Sequence, residues 1–277
     1  MIGKRSLPLA VLKTLFLAIW LVITAFPLYW IVITSFKEPG SITSYPIKYW
    51  PSHFSLENYT QLFTLSNFFV NIRNSFVAAL VAGAVATSIA LLSGYVLSKF
   101  EFRGKTAVFL CFLITQMLPA FIALGPLYIM MTHMDLVNSI VGLILVYIAV
   151  CIPFSAIMLK GFFDNIPDEL EEASMVDGCN RMQSLIYIII PVMRPGLIAA
   201  FVFNFVNCWN ELFLSVTLAQ RSSVKTIPAA LQGFISSFDI DWGSLSAASV
   251  LAIIPSMIIF AFASKHIVAG LTAGAVK

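Results

Sequence analysis

The chain has 277 residues, of which 60% are hydrophobic and 10% are charged, and its formal net charge is +3. Soluble domains carry about 25% charged residues, so this composition excludes an ordinary soluble domain and is typical of an integral membrane protein. The small positive charge is scattered along the chain and does not indicate nucleic-acid binding.

Six apolar segments are each long enough, at about twenty residues, to cross a bilayer as a helix. Their apolar residues are continuous rather than alternating, which favours helices over the strands of a membrane barrel. The sequence therefore predicts an all-α integral membrane protein with a single transmembrane domain over residues 1–277. The predicted spans are approximately residues 11–36, 72–97, 107–131, 140–161, 196–219 and 246–267.

The Lys and Arg residues near these spans are concentrated on one side of the predicted membrane. That side carries both chain ends and the segment 165–191. Basic residues are enriched in cytoplasmic loops, so both termini and this segment are predicted to be cytoplasmic. The first apolar run is too long for the core of a signal peptide and is predicted to remain as the first span.

The segments on either side of the second span carry breaking signals. Pro39, Pro46 and Pro51 rule out one continuous helix in the outer loop after the first span. The inner loop before the third span contains Gly104-Lys105-Thr106, but Lys99 stands where a phosphate-binding loop needs glycine. The chain is therefore predicted to have no ATP site and no catalytic residue of its own.

The third span is predicted to be irregular, because Gln116, Pro119 and Pro126 interrupt its apolar run. Proline frees backbone carbonyls that need partners at membrane depth, and broken helices of this kind often line a substrate path. An ordinary kink satisfied by neighbouring helices is an equally open interpretation. Gln116 is a candidate path residue on the first interpretation.

The segment 165–191 is the most acidic and polar stretch of the chain, and its start predicts a short helix. Pro167 suits the first helical position, and the carboxylates that follow it suit the positive end of the helix dipole. Gly178 is predicted to end the helix in a left-handed conformation. The predicted helix has a narrow docking face of small and apolar groups, formed by Leu170, Ala173, Ser174 and Asp177.

The fifth span holds the strongest polar signal within a predicted membrane segment, at Asn204, Asn207, Asn210 and Glu211. A charged group near the centre of a spanning helix costs roughly 2.5–3.5 kcal/mol, so contact with lipid is disfavoured. Asn204, Asn207 and Glu211 share one helical face. They are predicted to form a polar wall of a translocation path, with hydrogen bonds that fasten helices together as the alternative.

The four cysteines and three histidines form no recognisable group. Three of the cysteines lie in predicted spans and Cys179 lies in the cytoplasmic segment, so no disulfide is predicted. No metal site is predicted either.

The spacing within residues 165–191 also resembles a family signature. Membrane subunits of bacterial ABC importers carry a cytoplasmic loop of the form E-A-A, three residues, G, nine residues, I, one residue, L-P. The matching positions here are Glu172, Ala173, Ser174, Gly178, Ile188, Ile190 and Pro191, with Ser174 and Ile190 as conservative departures. Three further segments resemble the maltose-type carbohydrate permeases: LENY at Leu56–Tyr59, WNE at Trp209–Glu211 and the tail from Gly270.

This resemblance implies the type I ABC importer permease fold and alternating access in the bacterial plasma (inner) membrane. The implied partners are a second homologous permease subunit, two cytoplasmic ATPase subunits that bind ATP, and an extracellular sugar-binding protein. The chain itself would need no cofactor. The residues implied to couple it to the ATPase are Glu171, Glu172, Ala173, Ser174, Asp177 and Gly178.

Two other functions stay open on the sequence. A secondary transporter driven by an ion gradient usually has charged pairs in several spans, whereas Glu211 is the one clear intramembrane charge here. A polyol or glycerol-phosphate ABC importer is the nearer alternative. Basic residues for a phosphate are absent from the predicted spans' apolar cores, which favours a neutral sugar.

Overall fold

The computed structural model describes residues 7–235 and 240–273, and the regular structure of this part of the chain is helical. Its one β contact is an isolated bridge between Ile235 and Ile240. The predicted all-α class is confirmed. The helices are α1 Leu7–Ser35, α2 Pro39–Ile42, α3 Glu57–Leu65, α4 Phe68–Lys99, α5 Lys105–Met117, α6 Leu124–His133, α7 Ile140–Phe163, α8 Asp168–Val176, α9 Arg181–Ser184, α10 Ile190–Val192, α11 Arg194–Asn210, α12 Phe213–Leu218, α13 Ile227–Leu231 and α14 Trp242–Ala273.

Four of these helices, α1, α4, α7 and α14, are by length and composition able to cross a membrane, counting over the described residues. Two bent pairs raise the number to six if each pair is one span. They are Lys105–Met117 with Phe121–His133, and Arg181–Val192 with Arg194–Asn210. Six spans with both termini in the cytoplasm stay a prediction. The end of the predicted C-terminal signature, residues 274–277, lies outside the described residues.

The predicted irregularity of the third span is confirmed as a break between α5 and α6. Leu118 precedes Pro119 and is extended, with φ −78° and ψ 126°. A residue before proline is pushed away from the helical region by the proline ring, so α5 ends there. The 3₁₀ turn Ala120–Ala123 leads into α6, and the two helices are bent by more than 40°.

The predicted fifth span, residues 196–219, is not one helix. α11 ends at Asn210, and Glu211 is extended with φ −71° and ψ 119°. The Glu211 carboxylate accepts hydrogen bonds from the backbone N–H groups of Leu214 at 3.0 Å and Ser215 at 3.1 Å. These bonds satisfy the first turn of α12, so the acidic residue that stood out in the sequence is also the place where the helix breaks.

The chain divides into two compact units, and the first comprises Met1–Phe68 and Leu231–Ile253. Within it the Asn58 side chain is buried and donates to the backbone oxygens of Ser35 at 3.0 Å and Lys37 at 2.7 Å. Lys37 is also buried; its ammonium group donates to Lys48 O at 2.7 Å, and burial lowers its pKa. As predicted, the proline-rich loop is not one continuous helix, and it contains the two short helices α2 and α3.

The second unit comprises Phe69–Ala230 and Ile254–Lys277, and in it α4 packs closely on α7. A Cβ added at Gly94 would lie 2.9 Å from Lys160 N and 3.2 Å from Ala156 O. Only a residue without a side chain permits this approach, which is how small residues bring membrane helices together. The same unit has a buried apolar core that includes Tyr95, Phe163 and Leu185.

Candidate functional site

The acidic helix predicted in the segment 165–191 is α8, which begins at Asp168. Pro167 is the N-cap rather than the first helical residue, with φ −57° and ψ 138°. Its extended backbone leads the chain into the helix, which therefore begins one position later than predicted. Asp168, Glu169 and Glu171 occupy the first turn, where carboxylates stabilise the helix through its dipole.

Gly178 ends this helix as predicted, with φ +93°. The N–H of Cys179 donates to Ser174 O at 3.0 Å and that of Gly178 to Met175 O at 3.1 Å. This pair of bonds is the Schellman motif, and its left-handed residue favours glycine because a Cβ is strained there. A Cβ at Gly178 would meet no atom within 4 Å, so backbone strain alone selects glycine.

The chain returns toward the apolar region through a capping box. The Asn180 side chain accepts from Gln183 N at 2.9 Å, and the Gln183 side chain accepts from Asn180 N at 2.8 Å. A π-helical turn, Leu185–Ile189, follows this box. The segments Arg181–Val192 and Arg194–Asn210 then meet at a bend of 77°. π-helical turns are rare and are frequently found at functional sites.

The six predicted coupling residues fall into two groups. Glu172, Ala173, Asp177 and Gly178 are exposed on the outer side of the loop. Glu171 and Ser174 are buried, at 7% and 6% exposure. The Ser174 hydroxyl donates to Ser184 Oγ at 2.6 Å and so holds α8 against α9. The prediction that Ser174 belongs to the docking face is wrong, because its side chain is turned inward.

Contacts from α4 hold the inner side of α8, and sequence reasoning did not find them. The Tyr95 hydroxyl donates to Glu171 Oε1 at 2.6 Å. The Lys99 ammonium donates to Ile166 O at 2.6 Å and to Asp168 Oδ1 at 2.5 Å. Tyr95 and Lys99 precede their partners by more than sixty positions, so no local spacing in the sequence signals these pairs.

A second polar group fastens the end of α7 beside α8. Asp164 accepts from Lys160 Nζ at 2.6 Å and from Ser98 Oγ at 2.7 Å. Partial burial raises the pKa of the Asp164 carboxyl, but these hydrogen bonds and the charge of Lys160 outweigh burial and hold the pKa below its usual value. Asp164 is therefore a carboxylate at neutral pH and ties α4 to α7.

A cleft of about 170 Å³ lies between α7 and α11 and brings together three of the five predicted path residues, Gln116, Asn207 and Glu211. The stacked rings of Phe154 and Phe203, with centroids 4.1 Å apart, form part of its wall. The remaining lining residues are Tyr147, Val150, Cys151, Cys208 and Leu214. The cleft thus combines amide and carboxylate groups with flat aromatic surfaces.

Two lining residues show why the sequence did not identify the whole cleft. Tyr147 lies on α7 among apolar residues, and its hydroxyl is 3.5 Å from Glu211 Oε2. Cys151 and Cys208 are free thiols whose sulfurs are 3.5 Å apart. In the sequence, a tyrosine and two cysteines within apolar helices look like ordinary core residues. Only the packing of α7 on α11 shows that they line the cleft.

The other two predicted path residues do not line this cleft. Asn204 is fully buried; its Nδ2 donates to Thr87 Oγ1 at 3.0 Å and its Oδ1 accepts from Ser155 Oγ at 2.7 Å. Asn204 therefore joins α11 to α4 and α7, which is the alternative that the sequence left open. Asn210 is exposed and donates to Val206 O at 3.0 Å, within its own helix.

Among the described residues no group of three or more His, Cys, Asp or Glu side chains is placed to hold a metal ion. The arrangement offers hydrogen bonds and aromatic surface to a ligand.

Known proteins resemble this chain over nearly its whole length. The family described as binding-protein-dependent transport system inner membrane component matches residues 86–272. The diacetylchitobiose uptake system permease protein DasC of Streptomyces coelicolor is 33% identical, over 96% of this chain and 99% of DasC. The trehalose/maltose transport system permease protein MalG of Thermococcus litoralis is 31% identical, over 96% of this chain and 98% of MalG.

The fold has a counterpart among crystal structures. A chain of a bacterial ABC transporter involved in the import of the acidic polysaccharide alginate superposes with a TM-score of 0.84, at 19% identity, over 96% of this chain and 99% of that chain. At that identity the likeness concerns the fold. The family match and the curated relatives together show that the chain belongs to the inner-membrane components of binding-protein-dependent transport systems, the permease subunits of ABC importers.

Proposed function

We propose that this chain is one of two membrane subunits of an ATP-driven importer for a neutral sugar or oligosaccharide. It pairs with a second homologous permease, two cytoplasmic ATPase subunits that bind and hydrolyse ATP, and an extracellular sugar-binding protein. It crosses the bacterial plasma (inner) membrane six times with both termini in the cytoplasm. The observation that carries this proposal is the exposed acidic face of α8, presented on a loop that internal contacts hold in place.

The segment 165–191 supports a coupling role because its outer side is free to bind a partner while its inner side is held by contacts within this chain. Glu172 and Asp177 face outward, where nothing in this chain neutralises them among the described contacts. The inner side is fixed by Tyr95, Lys99 and Ser184. A rigid acidic helix with an open face is suited to a basic surface of another protein, here the ATPase.

The cleft supports a neutral, hydroxyl-rich substrate. Its lining residues include no Lys or Arg that could bind a phosphate. Gln116, Asn207 and Glu211 offer hydrogen bonds, and the Phe154–Phe203 pair offers flat apolar surface. A pyranose ring presents the complementary combination of hydroxyl edges and apolar faces. The named substrates of the relatives DasC and MalG are also saccharides.

The proposed mechanism is alternating access. ATP closes the two ATPase subunits, the α8 helices of the two permeases move together, and the path opens outward to receive sugar from the binding protein. Hydrolysis separates the ATPase subunits and returns the path to the inward state. In this cycle the chain contributes a path wall and a docking helix.

Reconstitution tests the proposal. The full complex in proteoliposomes, with its binding protein, is given labelled maltose, trehalose, diacetylchitobiose or glycerol 3-phosphate, with and without internal ATP. We expect uptake of a neutral saccharide that needs both ATP and the binding protein. Uptake that follows an imposed proton or sodium gradient without ATP would contradict an ATP-driven importer, and uptake of glycerol 3-phosphate alone would contradict the neutral substrate.

A further inference from the structure

Glu171 lies in the segment that is proposed to meet the ATPase, yet its carboxylate is turned into the chain. It is 7% exposed and Tyr95 is 6% exposed. The Tyr95 hydroxyl, 2.6 Å away, is the one hydrogen-bond donor to that carboxylate among the described residues. A hydrogen bond to an ionised acceptor is short and about twice as strong as a neutral one, and an unpaired buried carboxylate is strongly disfavoured. The pair therefore fixes α8 to α4.

Lys99, one turn along α4 from Tyr95, also holds α8 against α4. The Lys99 side chain is 9% exposed and donates to Ile166 O and Asp168 Oδ1, at the start of α8. Asp168 is 76% exposed, so this ion pair alone contributes little. The partly buried hydrogen bond from Lys99 to the Ile166 carbonyl adds to the contribution of the ion pair. Tyr95 and Lys99, four residues apart on α4, thus hold the middle and the start of α8.

From Tyr95 the contacts continue to the cleft. Thr87 lies eight positions earlier in α4, about 12 Å along the helix axis. Its hydroxyl accepts from Asn204 Nδ2 at 3.0 Å, and Asn204 lies on α11. Asn207, three positions further along α11, lines the cleft. α8 is thus joined to the cleft wall through α4 by side-chain bonds, in addition to its covalent connections to α7 and α9.

We propose that the Tyr95–Glu171 hydrogen bond, assisted by Lys99, is the internal linkage that transmits movement of α8 to α4 and so to the cleft. Glu171 then acts within this chain and not on the ATPase, and Tyr95 is a positioning residue for transport. This inference rests on the proposed function, and it names the residues that connect its two parts.

The test compares variants of the whole complex in proteoliposomes. Tyr95→Phe removes one hydroxyl and keeps the ring that packs near Phe100 and Phe163. We expect the number of sugar molecules imported per ATP hydrolysed to fall roughly fivefold or more, the lower end of common coupling strengths. ATPase retention should stay close to that of the unmodified complex, while the melting temperature should fall because the buried Glu171 carboxylate loses its donor. Tyr187→Phe is the matched control, because it removes the same hydroxyl from an exposed tyrosine of the segment 165–191.

Variants of Glu171 separate linkage from docking. Glu171→Gln keeps a neutral oxygen that accepts from Tyr95 in a weaker bond, so it should lower the import ratio less than Glu171→Leu, which should lower it as Tyr95→Phe does. The double variant Tyr95→Phe with Glu171→Leu should be no worse than either single variant. If Glu171 instead contacted the ATPase, Glu171→Gln would release the ATPase while Tyr95→Phe had no effect, and that result would overturn the proposal.

Hydrogen exchange gives a readout that needs no sugar. In the detergent-solubilised complex, Tyr95→Phe should speed exchange of the α8 amides several-fold relative to Tyr187→Phe. Unchanged exchange in α8, or an unchanged import ratio, would each overturn the linkage. Failure of the proposed function would look different: the unmodified complex would import no saccharide, while the difference in exchange persisted.

Discussion

At the scale of single residues, Glu211 shows how one side chain can serve two purposes. Its carboxylate accepts the N–H groups of Leu214 and Ser215, and it also lines the cleft with Asn207 and Gln116. The sequence identified Glu211 as a path residue from the cost of a charge in the membrane. The break in the helix was not predictable, because the apolar pattern continues through residues 212–219.

Glu211→Ala is expected to lower both stability and transport. The first turn of α12 loses two acceptors, which costs about 1–2 kcal/mol of unfolding free energy, and the cleft loses its charge. Glu211→Gln keeps one acceptor and should lose less stability. Denaturant titration in detergent and sugar uptake measure the two effects. Full uptake by Glu211→Ala would show that this residue is not part of the path.

A substitution at Gly178 tests the effect of backbone strain alone. Its φ is +93°, and a Cβ there would touch nothing. Gly178→Ala should therefore weaken α8 by about 1–2 kcal/mol, the cost of a left-handed residue with a side chain. Hydrogen exchange of the α8 amides measures this local loss. Gly161→Ala is the control: Gly161 lies in α7 with an ordinary φ and open space, so alanine should be neutral or stabilising there. Equal exchange in both variants would contradict the strain argument.

At the scale of the elements, the features that could be predicted from the sequence are those set by neighbouring residues. The acidic first turn, the glycine cap of α8 and the proline break after α5 all depend on residues within a few positions of each other. The contacts that orient these elements join distant positions, such as Thr87 with Asn204 or Tyr95 with Glu171. Membrane helices also share apolar character on all sides, so periodicity does not show which face is inside.

The asparagines of α11 provide a matched pair of variants. Asn204 is buried and bonded to Thr87 and Ser155, whereas Asn207 is exposed in the cleft. Asn204→Leu should lower the unfolding free energy by about 1–2 kcal/mol, since hydrogen bonds between membrane helices contribute on average about 0.6 and at most about 1.7 kcal/mol each. Asn207→Leu should leave stability nearly unchanged and reduce sugar uptake. Denaturant titration and uptake assays test both, and the reverse pattern would show that the roles are exchanged.

At the scale of the whole molecule, the sequence predicts that partner subunits, and not this chain, bind ATP. Gly104 is the left-handed N-cap of α5, and the Lys105 ammonium is 2.7 Å from Glu101 Oε1. This arrangement is not a phosphate-binding loop, which needs a further glycine where Lys99 stands. The purified chain should therefore bind no ATP in equilibrium dialysis. Lys105→Ala should leave this result unchanged. Binding of one nucleotide per chain would contradict the assignment of ATP to partner subunits.

The last prediction concerns assembly, and it depends on the exposed side of α8. Glu172 projects outward from a helix whose inner side is fixed by Tyr95 and Ser184. An exposed ion pair contributes only about 0–1 kcal/mol, but a charge pair desolvated in an interface costs about 2–5 kcal/mol to break. If Glu172 pairs with a basic residue of the ATPase, Glu172→Lys replaces that attraction with repulsion.

We therefore expect Glu172→Lys to leave the chain in the membrane, to release the ATPase in a pull-down at physiological salt, and to abolish sugar uptake. Glu101→Lys is the control, because it makes the same charge change at an exposed site. The ion-pair partner of Glu101 is Lys105, four residues further along this chain. Restoration of ATPase retention by a compensating acidic substitution in the ATPase would identify the partner residue. ATPase retention and uptake at unmodified levels in Glu172→Lys would show that the outward face of α8 is not the docking surface.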